Sequence, residues 1–352
     1  MVVASQLNVK YDFGVKGDSI IDDTISMQNA LNNGSNNCIY IPSGIYILSD
    51  ILYLPDNITI IGEGIGRTIL TTTADNILKL NKGNNISISG ISFIVNNKKG
   101  ILVNLAHINN LMINNCSFEN SSDKGLQIQY SNNVSIINCI ISNSLSSGIV
   151  LSKTSNIIIS GCRIYNNIGC GISLTGIGTK DNGCNIFTVQ NNYNINNGKA
   201  GIAITGYCSN GKIINNICNN NGINNPQGMG DGINGHRLNN VIILNNICNN
   251  NFANGIGLNG QDENGNTSCQ NIIIENCTNV NNGNSGIVLF YTQNCKANQN
   301  ICTNNKCANG LKGGGIYLCN SINNIIDNNN SYNNNGRPDI YQDLNSINNK
   351  IS

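Results

Sequence analysis

The chain has 352 residues and a formal net charge of +1, with charged residues making up 11% of the sequence. That fraction is well below the roughly 25% of ordinary globular proteins. Because the few cations are scattered and no long apolar run is present, the sequence excludes a basic nucleic-acid-binding stripe and a membrane-spanning helix.

The first fifty residues are predicted to form an N-terminal cap and the first strands. Asp22 and Asp23 can cap a short amphipathic helix over Thr24–Leu31, and Cys38–Pro42 is predicted to be a strand. A helix here would cover the apolar end of a stack of repeats, as terminal caps must. We assign residues 1–50 to this cap and residues 51–352 to one continuous repeat domain.

A pattern of Gly, Ile, any residue and an apolar residue recurs through the repeat domain at intervals of 23 or 29 to 31 residues. It begins at Gly125, Gly148, Gly171, Gly201, Gly232, Gly255, Gly286 and Gly315. A second short apolar segment accompanies it in most repeats. Short strands separated by Asn and Gly fit coils that bond to the coils above and below. The sequence therefore predicts an all-β fold, a single-stranded right-handed parallel β-helix with a short capping helix.

Asn and Cys recur in register with these repeats. Asn tolerates the left-handed backbone of sharp corners, and stacked Asn side chains can form hydrogen-bonded ladders. Aligned by repeat, the cysteines fall into two inward columns, Cys116, Cys139, Cys162 and Cys277 in one, and Cys218, Cys248 and Cys302 in the other. Since Cys is a small and readily buried side chain, we interpret them as core residues with free thiols.

The N-terminal segment carries a family resemblance. The run Tyr11–Asp18, then Asp22–Thr24 and Ile39–Tyr46, resembles the opening of the pectate-lyase-like superfamily, which includes rhamnogalacturonases, alginate epimerases and phage tailspike depolymerases. The resemblance covers residues 11 to 70 and implies the β-helix fold, but it selects no reaction because it lies in the cap. It also leads us to expect an extracellular or virion-associated protein, with a homotrimer as one possible assembly, although no signal peptide is visible.

Four inserts lengthen the repeats, around residues 178–183, 225–231 and 261–266 and before the strand that begins at Gly315. They flank the same stacked strand, so we expect them to form the walls of a groove whose floor is that strand. Lys180 and Asp181 on one rim, and Asp262 and Glu263 on another, are candidate substrate-binding residues.

The densest polar cluster, Asp231–Arg237, lies on the expected floor. With Ile233 facing the core, strand alternation sends Asn234 and His236 outward. The cluster resembles the active-site motif of alginate (mannuronan) epimerases, Tyr-Gly-Phe-Asp-Pro-His-Glu. Gly232 and His236 are identical, and Ile233 and Asn234 replace Phe and Asp. The chain departs from the motif at Asp231, Gly235 and Arg237, which stand where the motif has Tyr, Pro and Glu.

That resemblance implies proton abstraction from C5 of a uronate. Such a reaction needs a base, an acid and a cation that offsets the carboxylate charge. The catalytic candidates are His236 as base, Arg237 as carboxylate holder, Asp231 at the position of the motif Tyr, and Tyr207 as acid. Asn234, Asn259 and Tyr291 are further substrate-binding candidates. Tyr207 is preferred as the acid because it lies one coil from His236, whereas Tyr291 lies two coils away.

Three functions remain open. The first is a polysaccharide lyase or uronate epimerase acting on an acidic polysaccharide. The second is a hydrolase or tailspike-type depolymerase, for which Asp231, Asp262 and Glu263 offer carboxylates. The third is a non-catalytic glycan-binding adhesin. We expect no cofactor and no metal site, since no Asp-rich ligand spacing supports Ca²⁺ binding.

Overall fold

The computed structural model describes residues 6–72, 74–95, 100–176, 183–223, 230–261, 269–307, 314–335 and 338–352. The chain divides into an N-terminal unit, Met1–Arg163, and a C-terminal unit, Ile164–Ser352. In both units the strands pair in parallel with strands about one repeat away in sequence, so most coils contribute one strand to each sheet. This arrangement confirms the predicted parallel β-helix.

Two helices precede the regular coils of the N-terminal unit, α1 (Val9–Phe13) and α2 (Thr24–Asn32). Helix α2 buries Met27, Ala30 and Leu31, as expected of a cap. The predicted capping was only partly correct. The Asp22 carboxylate accepts the Thr24 N–H, but the Asp23 carboxylate accepts the N–H groups of Lys16 and Gly17 and makes no side-chain bond to the helix. Helix α1 was not predicted.

Three parallel sheets form the N-terminal unit. Sheet A contains β1 (Gln6–Asn8), β3 (Cys38–Ile41), β6 (Thr59–Gly62), β9 (Gly83–Ser89), β12 (Ile108–Asn114), β15 (Asn132–Ile137) and β18 (Ser155–Ser160). Sheet B contains β2 (Asp18–Asp22), β4 (Gly44–Leu48), β7 (Thr68–Thr72), β10 (Ser92–Val95), β13 (Ser117–Glu119) and β16 (Ile140–Ser142). Sheet C contains β5 (Leu52–Tyr53), β8 (Leu78–Leu80), β11 (Val103–Ala106), β14 (Leu126–Gln129) and β17 (Ile149–Ser152). Strand β19 (Arg163–Tyr165) begins at Arg163, the last residue of the N-terminal unit.

The C-terminal unit is built in the same way. Sheet D contains β21 (Asn185–Gln190), β24 (Ser209–Ile214), β27 (Asn239–Leu244), β29 (Cys269–Glu275), β32 (Thr292–Gln293), β33 (Lys296–Asn298), β36 (Ile325–Asp327) and β39 (Lys350–Ile351). Sheet E consists of the pair β22 (Tyr193–Ile195) and β25 (Ile217–Asn219), and of the set β30 (Thr278–Val280), β34 (Ile301–Thr303) and β37 (Asn330–Tyr332). Sheet F contains β20 (Ile172–Thr175), β23 (Ile202–Thr205), β26 (Ile233–His236), β28 (Ile256–Asn259), β31 (Ile287–Phe290), β35 (Ile316–Cys319) and β38 (Ile340–Gln342).

Asn shapes the corners between these strands. Corner asparagines such as Asn133, Asn210 and Asn250 have φ values near 55°, the left-handed region that Asn tolerates better than other residues with a side chain. In the N-terminal unit, Asn side chains of successive coils form an exposed ladder with amide-to-amide distances of 2.7 to 3.0 Å. The predicted corners and ladders are confirmed.

The inward positions carry aliphatic residues and cysteine. All fifteen cysteines are free, which confirms the predicted free thiols, and all seven residues of the two predicted columns are buried. Burial raises the pKa of the Cys116 thiol to about 12, so this thiol stays protonated and packs as an apolar group.

Candidate active site on the outer face of sheet F

Sheet F brings the predicted base into register with polar neighbours. Strand β26 pairs with β23 and β28, which places His236 between Thr205 and Asn259. Ile233 and Gly235 are buried, whereas Asn234 and His236 are partly exposed on the outer face. A Cβ at Gly235 would meet Leu258 at 2.6 Å and Leu238 at 2.8 Å, so glycine lets these leucines fill the core behind His236.

The environment of His236 favours its neutral form. Partial burial of the imidazole lowers its pKa, the Arg237 charge lowers it further, and a hydrogen bond to the Gln261 backbone opposes these effects. The net pKa lies below the ordinary value of 6.5. A neutral imidazole that donates one N–H to a carbonyl keeps its other nitrogen as an acceptor. His236 therefore has the protonation state that a general base requires.

Arg237 and Tyr207 meet at the corner that follows the sheet F strands. Both residues have left-handed φ values, 57° for Arg237 and 63° for Tyr207. The guanidinium carbon lies 5.3 Å from the centre of the Tyr207 ring, and Nε donates to the Gln261 carbonyl at 3.2 Å. The cation–π contact and the shared Gln261 carbonyl hold the cation beside His236.

Asp231 lies beneath this surface. Its carboxylate is buried and accepts three hydrogen bonds, one from Asn234 Nδ2 at 2.7 Å and two from Asn254, through its backbone N–H at 2.8 Å and Nδ2 at 2.9 Å. Burial raises the pKa of Asp231 and these hydrogen bonds oppose the rise. In this position Asp231 orients the outward amide of Asn234.

Gly257 makes room for that carboxylate. It pairs with Asn234 across the sheet, and a Cβ at this position would lie 2.6 Å from Asp231 Oδ2. We therefore expect Gly257→Ala to displace the carboxylate, release Asn234 and weaken the binding of any ligand held by Asn234 by roughly tenfold, as for loss of a charge-assisted hydrogen bond. Ligand affinity should be measured for Gly257→Ala, for Asp231→Ala and for the variant that carries both substitutions. If Gly257→Ala weakens binding equally in both backgrounds, contact with Asp231 is not its cause.

The other candidate site residues do not all lie near His236. Asn259 neighbours His236 and accepts the Gln261 N–H at 3.0 Å. The Tyr291 ring packs against Phe290 at 4.7 Å, two strands away from His236. Lys180, Asp181, Asp262 and Glu263 lie outside the described residues, as does most of each predicted groove wall. In the described parts of the chain, no group of three or more His, Cys, Asp or Glu side chains could hold a metal ion.

Sequence reasoning missed Asn254 and Gln261. Asn254 stands 23 residues after Asp231, one short repeat, and directly precedes Gly255 as Asp231 precedes Gly232. The repeat alignment therefore contained a signal for this pair. The contribution of Gln261 is made by its backbone and depends on the course of the chain after β28, which residue types do not reveal.

Comparison with known proteins agrees with the fold. The family described as right handed beta helix region matches residues 75–204. The Non-secreted LysM effector LysM19 of Penicillium expansum is 33% identical over 61 residues, which are 17% of this chain and 5% of that relative's length. Across the described ranges, no helix is long and apolar enough to cross a membrane.

Solved structures resemble the chain over nearly its whole length. The A-module of mannuronan C-5 epimerase AlgE4 from Azotobacter vinelandii matches with a TM-score of 0.68 at 15% identity, covering 98% of this chain and 99% of the module. PfbA, a surface adhesin of Streptococcus pneumoniae, matches with a TM-score of 0.68 at 18% identity, covering 96% and 91% of the two chains.

A mutant tailspike protein of E. coli bacteriophage HK620, in complex with pentasaccharide, matches with a TM-score of 0.65 at 14% identity, covering 91% of this chain and 66% of the tailspike chain. Identities this low establish a shared fold and no shared activity. The family match and these likenesses identify the fold of this chain as a right-handed parallel β-helix.

Proposed function

We propose that this protein is a carbohydrate-active enzyme that removes the C5 proton of a uronate in an acidic polysaccharide, as a lyase or an epimerase. One observation carries the proposal. On the outer face of sheet F a partly buried imidazole, His236, has a lowered pKa and lies beside the Arg237 guanidinium. A neutral base next to a fixed cation suits proton abstraction from a carbon adjacent to a carboxylate.

Each residue has a defined part in this chemistry. His236 takes the C5 proton, and Arg237 offsets the negative charge that spreads onto the uronate carboxylate. In a lyase the C5 electron pair forms the C4–C5 double bond, the C4–O bond breaks, and Tyr207 protonates the leaving oxygen. In an epimerase Tyr207 instead returns a proton to the opposite face of C5. Asn234 and Asn259 hold the sugar hydroxyls, and Asp231 positions Asn234 from below.

The structural likenesses support a glycan ligand, because they include a mannuronan C-5 epimerase and a tailspike in complex with a pentasaccharide. By the likenesses to a surface adhesin and to a phage tailspike we also propose an extracellular or virion-associated location. The homotrimer is proposed only from the resemblance of the N-terminal segment to a superfamily that includes phage tailspikes. Hydrolysis ranks second, since Asp231 is buried and bound by three N–H donors, which leaves it poorly placed as one of two exposed carboxylates.

A non-catalytic glycan-binding module is the alternative from a different class, and the resemblance to the adhesin PfbA favours it. One experiment separates these functions: incubation with polymannuronate, polyguluronate and polygalacturonate in heavy water. Deuterium uptake without cleavage indicates an epimerase, and unsaturated chain ends indicate a lyase. New reducing ends alone, or binding without turnover, would contradict proton abstraction at C5.

The pH dependence of turnover provides a sharper test of His236. Because its pKa is lowered, the basic form persists below pH 6.5, and activity should fall only as the pH drops through this lower value. Arg237→Gln removes a charge that disfavours the imidazolium, so the acid limb of kcat/KM should move to higher pH. Arg237→Lys keeps the charge and should leave the limb in place while raising KM. If the acid limb of kcat/KM did not move in Arg237→Gln, a group other than His236 would be responsible for that limb.

A further inference from the structure

Aromatic side chains continue the outer face of sheet F beyond His236. Register pairing places Phe290 two strands from His236, in the same column. In the neighbouring column, Val288 pairs with Tyr317 and Tyr317 pairs with Tyr341. All three rings are partly exposed. This face therefore passes from the polar groups around His236 to a surface of aromatic rings.

Ring packing and hydrogen bonds fix the positions of Tyr317 and Tyr341. Tyr317 and Tyr341 lie with their ring centres 5.7 Å apart and their planes 31° apart. The Tyr317 hydroxyl is hydrogen-bonded to Cys319, whose thiol donates to Asp343 Oδ2 at 3.1 Å. Asp343 also accepts from Ser346 Oγ at 2.6 Å. Burial raises the pKa of Tyr317 well above its ordinary range, so the phenol remains a hydrogen-bond donor in basic as well as neutral solution.

Two outward positions separate the aromatic surface from the polar one. Between Asn234 and Tyr317, the outward column contains only Gly257 and Val288. Asn234 and Tyr317 are three strand spacings apart, roughly 14 Å. The space outside Gly257 is occupied by the Asp231 carboxylate, whereas Val288 is partly exposed and pairs with Tyr317. The C–H groups of a sugar can therefore pack on the valine side chain and the aromatic ring.

We propose that Phe290, Tyr317 and Tyr341 form sugar-binding subsites, so that a glycan chain runs across the coils of sheet F from His236 toward Tyr341. The identity of the glycan as a polyuronate rests on the proposed function, whereas the subsites rest on the aromatic surface itself. His236 and Tyr341 are four strand spacings apart, roughly 19 Å, so one sugar cannot contact both. The ligand is therefore an oligosaccharide or polysaccharide.

The absence of tryptophan from the sequence allows a direct test. Tyr341→Trp introduces a single tryptophan at the proposed subsite, and Tyr332→Trp introduces one on strand β37 of sheet E, where Tyr332 is 46% exposed. Both variants are titrated with hexamers of mannuronate, galacturonate and xylose. We expect saturable quenching or a blue shift for Tyr341→Trp alone. No response to any hexamer, or an equal response from Tyr332→Trp, overturns the subsites.

Affinity and turnover separate this inference from the proposed reaction. Tyr317→Ala should weaken hexamer binding by roughly tenfold, raise KM for a polymer by a similar factor, and leave disaccharide binding nearly unchanged. A response from Tyr341→Trp without turnover of any polyuronate would support the subsites and contradict the reaction. Turnover that is insensitive to Tyr317→Ala and Phe290→Ala would support the reaction and contradict the subsites.

Discussion

His236→Ala should lower kcat/KM on a polyuronate by roughly a hundredfold to ten-thousandfold, the usual contribution of a positioned general base. The fold should remain intact, because the imidazole lies on the outer face of sheet F while the core beneath it is formed by Leu238 and Leu258. Turnover and thermal unfolding should be measured on the same preparation. A smaller His236→Gln effect would indicate that hydrogen bonding, rather than proton transfer, is the main contribution.

The chain offers a matched control in its other histidine. His107 lies at an exposed corner of the N-terminal unit, where its ring stacks on Tyr130 at 4.8 Å. His107→Ala removes the same side chain and should leave turnover unchanged. Equal losses in the two variants would show that the effect comes from a general disturbance of the fold, and full activity in His236→Ala would remove this residue from the mechanism.

The regular part of the fold could be predicted from the sequence because each signal is local and repeated. Alternation of Ile with polar residues defines inward and outward positions, and Asn marks the corners where φ is positive. The cap was harder to predict. The position of Asp23 depends on the N–H groups of Lys16 and Gly17, which a loop brings to it, and no periodic pattern describes a loop.

The candidate site could also be predicted only in part. Alternation predicts that Asn234 and His236 point outward, and the structure places both on the outer face. The burial of Asp231 could not be predicted from its own segment, because it depends on the missing side chain of Gly257 in the next coil and on the amide of Asn254. Comparing residues one repeat apart would have found the contact with Asn254, 23 residues after Asp231, but not the contact with Gly257, which pairs with Asn234 instead.

Stacking also determines how the C-terminal unit is stabilised. A ladder of asparagines runs along one corner, with amide-to-amide distances of 2.9 to 3.1 Å. It consists of the buried residues Asn167, Asn197, Asn221, Asn251, Asn282 and Asn305 and ends at the partly exposed Asn334. Each asparagine side chain within the ladder accepts a hydrogen bond from the asparagine of one neighbouring coil and donates a hydrogen bond to the asparagine of the other. The ladder therefore satisfies buried backbone groups that would otherwise lack partners.

Asn251→Leu should be among the most destabilising single changes in this unit. The Asn251 amide oxygen accepts from the backbone N–H and Nδ2 of Asn221, at 3.0 and 3.1 Å, and its Nδ2 donates to the Cys218 carbonyl at 2.9 Å and to Asn282 Oδ1 at 3.1 Å. Leucine leaves several of these buried groups without a partner, so the free energy of unfolding should fall by about 4 kcal/mol.

The neighbouring Asn250 provides the control for this change. It is exposed and has a φ of 57°, a conformation that glycine adopts without strain, so Asn250→Gly should change the free energy of unfolding by less than about 1 kcal/mol. Denaturant unfolding measures both variants, and hydrogen exchange of the Asn221 amide reports on the ladder directly, since that N–H donates to Asn251. If Asn251→Leu retained the protection of this amide, the ladder would contribute little, and the apolar core alone would hold the coils in register.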